Sequence, residues 1–347
     1  MEYARLIVGA ADAVADALAG RAAGIAVSTS GSTGEPLEVL LTADALRASA
    51  AATATELGSA GHWLLALPTD RIAGAMVLVR AALAGSAITS VASGSFTPEA
   101  FAAATDRLPS NEARFVSLVP TQLRRLLSSP IGRDAVDSFD AVLVGGAATG
   151  IDGLPGNVVR TYGLTETAGG CVYNGHTIGD TSVRLHADSR VLIATSSLAQ
   201  EYRPAQPEAW EEWDGRRWLV TSDLGEWTPD GRLAILGRVD DIIITGGFKV
   251  HPRTVEAAMD GLDWIAESAV VGATDPEWGQ AVVAFASPTA PGANSRLWEL
   301  RAALEPSLPK HALPTELVVV ESLPRLPSGK VNYSALRTIA ASFERNA

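Results

Sequence analysis

A run of hydroxyl side chains and glycines stands near the start of the chain, in the stretch from Ser28 to Pro36 (STSGSTGEP). Its two glycines allow a tight turn, and backbone amides and hydroxyl groups can solvate phosphate oxygens without net positive charge. The flanking runs, Gly24 to Val27 and Leu37 to Leu41, are apolar and strand-like, which disfavours a flexible Ser/Gly linker. No lysine stands in the register of the GxxxxGK[ST] loop. The sequence therefore predicts a phosphate-binding turn of another kind between two strands.

Four further short motifs place polar groups at turns or beside apolar runs. They are Thr161 to Thr167 (TYGLTET), Thr221 to Gly225 (TSDLG), Leu236 to Asp241 (LGRVDD) and Pro327 to Lys330 (PSGK). Each one alone is explained as well by a loop tyrosine, a helix cap, a surface ion pair or an exposed lysine. Lysine occurs only at positions 249, 310 and 330, and its compact charge suits roles that the planar guanidinium of arginine does not. In this order and spacing the motifs are poorly explained by chance.

On these motifs the sequence resembles the adenylate-forming acyl-CoA synthetase superfamily, from about residue 20 to about residue 337. Within it, the chain is most similar to the short, actinobacterial-type o-succinylbenzoate–CoA ligases of menaquinone biosynthesis. That similarity lies in the segment RTYGLTETAGGCVYNG and in Arg80, which stands nine residues after Arg71. The resemblance implies an acid–thiol ligase that uses ATP and Mg²⁺ to form an acyl-adenylate from o-succinylbenzoate and then transfers the acyl group to CoA.

The resemblance also implies residues that bind the nucleotide. The phosphate-holding residues would be Thr29, Ser30, Ser32, Thr33 and Gly34, and the adenine-lining residues would be Gly145, Gly146, Ala147 and Tyr162. By the same resemblance, Thr165 would bond the α-phosphate and Glu166 would hold Mg²⁺. Asp223 would accept both ribose hydroxyls, assisted by Arg238.

A second set of implied residues belongs to the two half-reactions. Lys330 would bridge the substrate carboxylate and the α-phosphate, Asp240 would be a hinge, and Gly246, Gly247 and Lys249 would face CoA. These roles make physical sense, because a carboxylate approaching an anionic nucleotide meets like-charge repulsion that Mg²⁺ and an ammonium group reduce. A hinged small domain would let the lysine leave before the thiol enters.

Two arginines are candidates to bind the second carboxylate of the acid, the one that is not activated. Arg80 stands in an otherwise apolar helix, where it is either a helix-edge residue that reaches solvent or a bidentate carboxylate partner. Arg71 replaces the histidine usual in the superfamily and could make the same contact. Leu37 replaces the usual lysine after the phosphate loop, so a cation near pyrophosphate is missing and a lower turnover is expected.

Composition excludes several classes of protein. Hydrophobic residues make up 47% of the 347 residues and charged residues 19%, so a packed core is expected rather than disorder. A formal net charge of −12 disfavours nucleic acid and anionic membranes as partners. No run is long enough to span a membrane, and the single cysteine, Cys171, suits a reducing cytoplasm. Cys171 is interpreted as a small pocket-lining residue rather than a nucleophile.

The arrangement of apolar runs predicts an α/β fold. Strand-like runs such as His62 to Pro68 and Ala87 to Ala92 alternate with helical runs, with Thr97 and Thr121 as expected helix caps, which indicates βαβ units and a parallel sheet. A β-rich segment follows from about residue 180, and a small, mobile α+β domain follows that. The predicted domains are residues 1–238, for nucleotide and acyl substrate, and residues 239–347, a lid with its hinge at about residue 240. A homodimer is possible.

Two alternatives to this function remain open. The same scaffold could activate another aryl or medium-chain acid. The chain could also be a catalytically weak module that binds nucleotide or acyl-adenylate, which Leu37 and Arg71 favour and which Glu166, Asp223 and Lys330 oppose.

Overall fold

The computed structural model describes residues 1–6, 9–30, 36–92, 94–145, 154–290, 296–326 and 331–342. These residues divide into two compact units. The first lies within Met1–Thr149, Leu154–Thr221 and Trp227–Ala234, and the second within Ser222–Glu226 and Ile235–Ala347. The predicted α/β class, with a large N-terminal part and a smaller C-terminal α+β part, is confirmed. The proposed boundary at residue 238 stays a prediction.

Strands and helices alternate through the first half of the chain. In chain order the strands are β1 Tyr3–Arg5, β2 Gly24–Ser30, β3 Pro36–Thr42, β4 His62–Leu65, β5 Thr89–Ser90, β6 Arg114–Leu118, β7 Ala141–Val144, β8 Val158–Leu164, β9 Gly169–Tyr173, β10 His176–Thr177, β11 Ser182–Leu185, β12 Arg190–Ala194, β13 Glu201–Arg203, β14 Trp210–Trp213, β15 Arg216–Trp227 and β16 Leu233–Arg238. The helices among them are α1 Ala10–Leu18, α2 Ala43–Glu56, α3 Ile72–Ala84, α4 Pro98–Thr105, α5 Pro120–Leu127 and α6 Pro130–Asp137.

A seven-stranded sheet forms the centre of the first unit, in the order β10-β9-β8-β7-β6-β4-β5. Strands β5, β4, β6, β7 and β8 run parallel, as the alternation of strands and helices predicts, and β9 and β10 add antiparallel pairs at one edge. Most residues of β6 and β7 are buried, which fits a parallel sheet covered by helices. Trp63 and Phe115 pack together in its core with ring centroids 5.2 Å apart.

Two smaller sheets are formed by other strands between Tyr3 and Arg238. One has the order β1-β2-β3-β13 and is built on the antiparallel hairpin β2–β3. The other has the order β11-β12-β15-β14, with β16 paired to β15. The hairpin brings the two ends of the phosphate-loop motif together, because Ser30 is opposite Pro36 in its register.

The second unit is built on one mixed sheet. After residue 240 the elements are β17 Ile243–Thr245, β18 Phe248–Val250, α7 Pro252–Asp260, β19 Ile265–Asp275, β20 Gly279–Pro288, α8 Leu297–Leu304, β21 Glu316–Val319 and α9 Tyr333–Ala341. The sheet order is β18-β17-β20-β19, with β21 parallel to β20. Separate apolar clusters form around Val255 and Leu300 and around Phe285 and Leu336, so this unit has a core of its own.

Local expectations are partly confirmed. Thr97 caps α4, and its hydroxyl accepts a hydrogen bond from the amide of Ala100 at 3.2 Å. The prediction that Thr121 caps the next helix is wrong. That helix begins at Pro120 because proline suits the first helical position, and Val119 is the N-cap. The predicted strand from 87 to 92 is reduced to the two residues of β5.

Candidate functional site

The described residues of the phosphate-loop motif belong to the end of β2 and the start of β3, the two flanking strands that the sequence predicts. Thr29 is half-buried in β2, and its hydroxyl donates to the carbonyl of Leu37 across the hairpin at 3.3 Å. Only the backbone of Ser30 is described, at the end of β2. Ser32, Thr33 and Gly34 lie outside the described residues, and so do Gly146, Ala147 and Lys330.

Arg71 stands at the beginning of α3 and contacts this hairpin. It is the N-cap residue of the helix, and its Nη1 donates to the carbonyl of Ser28 at 3.2 Å. Its side chain remains 45% exposed and lies 3.6 Å from Asp70 in an ion pair. The guanidinium is therefore close to the strand that leads into the phosphate loop.

The motif TYGLTET continues from strand β8 into a short 3₁₀ turn, Thr165–Thr167, which carries Thr165 and Glu166. Thr167 is fully buried, and its hydroxyl accepts from the amide of Leu164 at 2.9 Å and lies 2.7 Å from the carbonyl of Gly169. Ala168 closes the turn in the left-handed region, with φ 51°. Hydrogen bonds on both sides thus fix the backbone that presents Glu166.

The carboxylate of Glu166 is held by a tyrosine from another sheet. The hydroxyl of Tyr202, in β13, donates to Oε1 of Glu166 at 2.8 Å. Burial raises the pKa of Tyr202 above its ordinary value, and the negative charge of Glu166 adds to the shift, so the phenol keeps its proton and acts as the donor. The main chain of Glu166 is tied in as well, because its carbonyl accepts from the amide of Ala199 at 2.7 Å.

Arg80 is buried inside the first unit, with 7% of its surface exposed. Its guanidinium lies 4.7 Å from the ring centroid of Trp63, and Nη2 donates to the hydroxyl of Thr53 at 3.3 Å. Its Nε is buried without a hydrogen-bond partner, and across the described ranges no carboxylate forms an ion pair with it. Burial lowers the pKa of Arg80, and the interaction with Tyr173 opposes that shift. The interpretation of Arg80 as a helix-edge residue reaching solvent is wrong.

Of the segment from Gly145 to Ala147, which the resemblance assigns to the adenine, only Gly145 is described, directly after β7. A Cβ atom at Gly145 would stand 2.6 Å from the hydroxyl oxygen of Thr161 in β8, so a larger residue at the end of β7 would displace that side chain. Tyr162, the next residue of β8, is half-buried and pairs with Val172 of β9. Gly145 and Tyr162 therefore come from neighbouring strands of one sheet.

Asp223 and Arg238 are brought together within the second unit. Asp223 is 7% exposed, and Nη1 of Arg238 lies 3.6 Å from its Oδ1. A second contact joins Nη2 of Arg238 to Asp240 at 3.8 Å, where Asp240 is exposed. The two motifs TSDLG and LGRVDD are thus joined through one guanidinium.

Gly246 and Gly247 form the two-residue turn between β17 and β18. Both have positive φ, 55° and 81°, the requirement of a type I′ hairpin turn. A Cβ atom at Gly246 would stand 2.8 Å from the ring of Trp278. Lys249 follows in β18 with its side chain exposed.

Cys171 is buried in β9, and burial raises the pKa of its thiol to about 12. The thiol is therefore protonated at neutral pH, which supports the interpretation that it is not a nucleophile.

The described part of the chain contains no group of three or more His, Cys, Asp or Glu side chains that could hold a metal ion. Within that same part, no helix is both long and apolar enough to cross a membrane.

Sequence reasoning missed three residues around these groups: Tyr202, Ser49 and Thr53. Tyr202 lies in the short strand β13, whose pairing to β3 has no local sequence signal. Ser49 and Thr53 lie in α2, an alanine-rich helix that offers little apolar periodicity. The one available signal was the presence of two hydroxyl residues four positions apart in that helix.

Comparison with protein-family models matches both parts of the chain. Residues 25–193 match the AMP-binding enzyme model, and residues 254–330 match the AMP-binding enzyme C-terminal domain. These matches and the fold define the class of protein: an AMP-binding enzyme.

Individual relatives narrow this class. A probable 2-succinylbenzoate–CoA ligase from Mycobacterium tuberculosis is 41% identical over 327 residues, covering 90% of this chain and 83% of the relative. A 2-succinylbenzoate–CoA ligase from Listeria monocytogenes is 29% identical, covering 89% of this chain and 68% of the relative. The o-succinylbenzoate CoA synthetase from Bacillus subtilis, solved with its acyl-adenylate intermediate, has a TM-score of 0.76 and 25% identity, covering 93% of this chain and 70% of that one. The chain belongs to the 2-succinylbenzoate–CoA ligase family.

Proposed function

We propose that the protein is an ATP-dependent acid–thiol ligase that forms 2-succinylbenzoyl-CoA. In the first step a carboxylate oxygen of the acid, 2-succinylbenzoate, attacks the α-phosphorus of ATP, and pyrophosphate leaves with the electrons of the broken P–O bond. In the second step the thiol of CoA attacks the acyl carbon and loses its proton, and AMP leaves. The relatives of the chain carry this activity in their names, and one has been solved with ATP and magnesium ion.

The observation that carries the choice of acid is the buried guanidinium of Arg80. A buried charge without a counter-ion is unfavourable, and an unpartnered Nε adds the cost of an unmade hydrogen bond. A carboxylate that entered this position would relieve both. The acid 2-succinylbenzoate has two carboxylates, so one can meet Arg80 while the other is activated.

The spacing along α3 supports an acid that lies beside this helix. Arg80 stands eight positions after Ile72, the first residue of the helix, which corresponds to about 12 Å of rise. Arg71, at the first end, contacts the hairpin of the phosphate loop. In the proposal Arg80 binds the carboxylate that is not activated, and Arg71 stands near the reacting end.

Glu166 fits Mg²⁺ delivered with the nucleotide. Magnesium in nucleotide sites is commonly bound by one or two protein carboxylates together with substrate phosphates and water. Glu166 offers a hard oxygen ligand that Tyr202 orients, and no larger cluster of acids is needed. When bound, Mg²⁺ would neutralise phosphate charge that opposes the incoming carboxylate.

The remaining nucleotide roles follow the resemblance. Thr29, Ser30, Ser32, Thr33 and Gly34 would hold the β- and γ-phosphates, Thr165 the α-phosphate, and Gly145, Gly146, Ala147 and Tyr162 the adenine. Asp223 would accept the ribose hydroxyls. Its support is that this 7%-exposed carboxylate lies 3.6 Å from the guanidinium of Arg238, which holds it in place as an acceptor for two hydroxyl groups.

The second half-reaction completes the proposal. Residues 239–347 would turn about Asp240, so that Lys330 serves adenylation and the turn with Gly246, Gly247 and Lys249 serves CoA. The exposed ammonium of Lys249 beside the glycine turn suits a surface that binds CoA, because CoA carries negatively charged phosphates. We place this reaction in the cytoplasm, where ATP and CoA are available. Light scattering in solution would test the possible homodimer.

A coupled assay with 2-succinylbenzoate, ATP and CoA tests the function. The wild-type chain should release AMP and pyrophosphate only when the acid is present. Lys330→Ala should lose adenylation while it keeps thioester formation from preformed acyl-adenylate. A panel of aryl and medium-chain acids in ATP–pyrophosphate exchange tests whether another acid is activated in place of 2-succinylbenzoate. If no acid supports exchange although ATP binds, the chain is a nucleotide-binding module instead.

A further inference from the structure

Two buried hydroxyl groups lie on one face of α2. Ser49 and Thr53 are four residues apart, so their side chains point the same way, and they are 3% and 0% exposed. Both stand among alanines in a helix whose inner face is otherwise apolar. Buried hydroxyls are favourable only when they are hydrogen-bonded, so the partners of these two show what they do.

Ser49 contacts the turn that presents Glu166. Its hydroxyl donates to the carbonyl of Ala168 at 2.7 Å, and Ala168 is fully buried. Ala168 adopts φ 51°, a conformation that a residue with a Cβ atom holds only where its surroundings require it. The Ser49 hydrogen bond anchors the end of that turn to α2.

Thr53 contacts the guanidinium of Arg80. Its hydroxyl donates to the carbonyl of Ser49 at 3.0 Å, so its oxygen accepts from Nη2 of Arg80 at 3.3 Å and from the hydroxyl of Tyr173 at 3.1 Å. A threonine hydroxyl has one proton and two acceptor sites, and these three contacts use all of them. The head group of Arg80 is thereby oriented between Thr53 and the ring of Trp63.

We propose that Ser49 and Thr53 are positioning residues that hold the two ends of the acid-activating site at a fixed separation along α2. Ser49 holds the turn that bears Glu166, on the nucleotide side. Thr53 holds Arg80, on the side of the second carboxylate. This inference rests on the proposed function, since it assigns Glu166 and Arg80 to the two ends of one reaction.

The test compares Ser49→Ala and Thr53→Val with Thr105→Val as a matched control. Thr105 is 3% exposed in α4 and donates to a carbonyl four residues earlier, at 3.0 Å, as Thr53 does, but it contacts neither end of the site. ATP–pyrophosphate exchange is measured against the concentrations of Mg²⁺ and 2-succinylbenzoate, with thermal melting of each variant.

The expected result is a split between the two variants. Ser49→Ala should raise the Mg²⁺ concentration for half-maximal exchange by about tenfold and leave the KM for the acid within about twofold, because a lost hydrogen bond is worth on that order. Thr53→Val should do the reverse, raising the KM for the acid by about tenfold. Thr53→Ser, which keeps the hydroxyl, should restore that KM, and Thr105→Val should change neither quantity.

Equal changes in both quantities, or variants that match Thr105→Val, would overturn the positioning role. If Ser49→Ala does not fold, the comparison of Thr53→Val with Thr53→Ser decides alone. The proposal is overturned if Thr53→Val leaves the KM for the acid unchanged or if Thr53→Ser does not restore it. A wild-type chain that activates no acid refutes the proposed function, whereas an active wild type with indifferent variants refutes only this inference.

Discussion

The hydroxyl of Tyr202 donates a 2.8 Å hydrogen bond to Oε1 of Glu166, which joins the end strand of one sheet to a turn that leaves another. Tyr202 also packs against Trp210, with ring centroids 5.7 Å apart, so its ring cannot move freely. A carboxylate held by a fixed donor keeps one geometry toward a metal, and such outer partners of metal ligands contribute strongly to affinity.

Replacing this donor should weaken the metal step. We expect Tyr202→Phe to raise the Mg²⁺ requirement of adenylation by about tenfold, since loss of a hydrogen bond to a metal ligand has effects of that order. The measurement is pyrophosphate exchange against Mg²⁺ concentration. Tyr3→Phe is the control, because Tyr3 lies in the same sheet and bonds to Gln200 instead. Identical Mg²⁺ curves for the two variants would exclude the role of Tyr202.

Arg80 should determine whether the enzyme senses the second carboxylate. We expect wild type to prefer 2-succinylbenzoate over 4-oxo-4-phenylbutanoate, which lacks the ring carboxylate. Arg80→Met should lower the ratio of the two kcat/KM values by about a hundredfold, since a charge-assisted hydrogen bond contributes roughly 1.5–3 kcal/mol. The ratio of the kcat/KM values for the two acids is the measurement.

Arg71→Met is the comparison for that experiment. If the preference for the dicarboxylate disappears with Arg71→Met and survives Arg80→Met, the carboxylate contact belongs to Arg71. Melting temperature adds an independent check. Because removing an uncompensated buried charge is often neutral or stabilising, Arg80→Met should not lower the melting temperature of the ligand-free protein.

Replacing Asp223 should weaken the binding of ATP and leave the binding of the acid nearly unchanged. We expect Asp223→Asn to raise the KM for ATP by about tenfold, since a neutral amide is a weaker acceptor for two hydroxyl groups than a carboxylate. The KM for the acid should change much less. Asp230→Asn serves as the control, because Asp230 is an exposed turn residue that pairs only locally with Arg232 and Thr228. Equal effects on both substrates would place Asp223 outside the ribose site.

The thiol of Cys171 should be unreactive in the folded protein. Its pKa is raised to about 12 by burial, and the thiolate is the reactive form, so the fraction able to react stays small well above neutral pH. Titration with a disulfide reagent should give no signal at about pH 8, still below that raised pKa, until denaturant unfolds the chain. Cys171→Ala should keep its adenylation rate. Rapid labelling of the native protein would show that this site opens.

Much of the fold could be predicted because its signals are local. The predicted strand from His62 is found as β4, His62–Leu65, although it ends three residues earlier than the apolar run. The N-cap of α4 followed from Thr97 and Pro98 in the same way. Thr121 misled because its place before an apolar run suggested a cap, although Pro120 had already begun the helix.

The site was predictable only where its residues form contiguous motifs. Glu166 and Asp223 stand in recognisable strings of residues, whereas Tyr202 reaches Glu166 across 36 positions and Ser49 reaches Ala168 across 119. No periodicity within the sequence encodes such pairs, because they arise from how separate sheets and helices pack. Arg80 shows the same limit: its helix was evident, but its burial against Trp63 was not.

The stacking of Arg80 on Trp63 gives the protein a built-in optical probe. The indole is 1% exposed and the guanidinium lies 4.7 Å from its centre, so we expect its emission to respond to that charge. An anion that reaches this guanidinium would change the local field, so we expect a shift in the fluorescence of that indole even when no turnover occurs. Titration of an acid in the absence of ATP, with Trp63→Phe as the blank, would then read out ground-state binding directly.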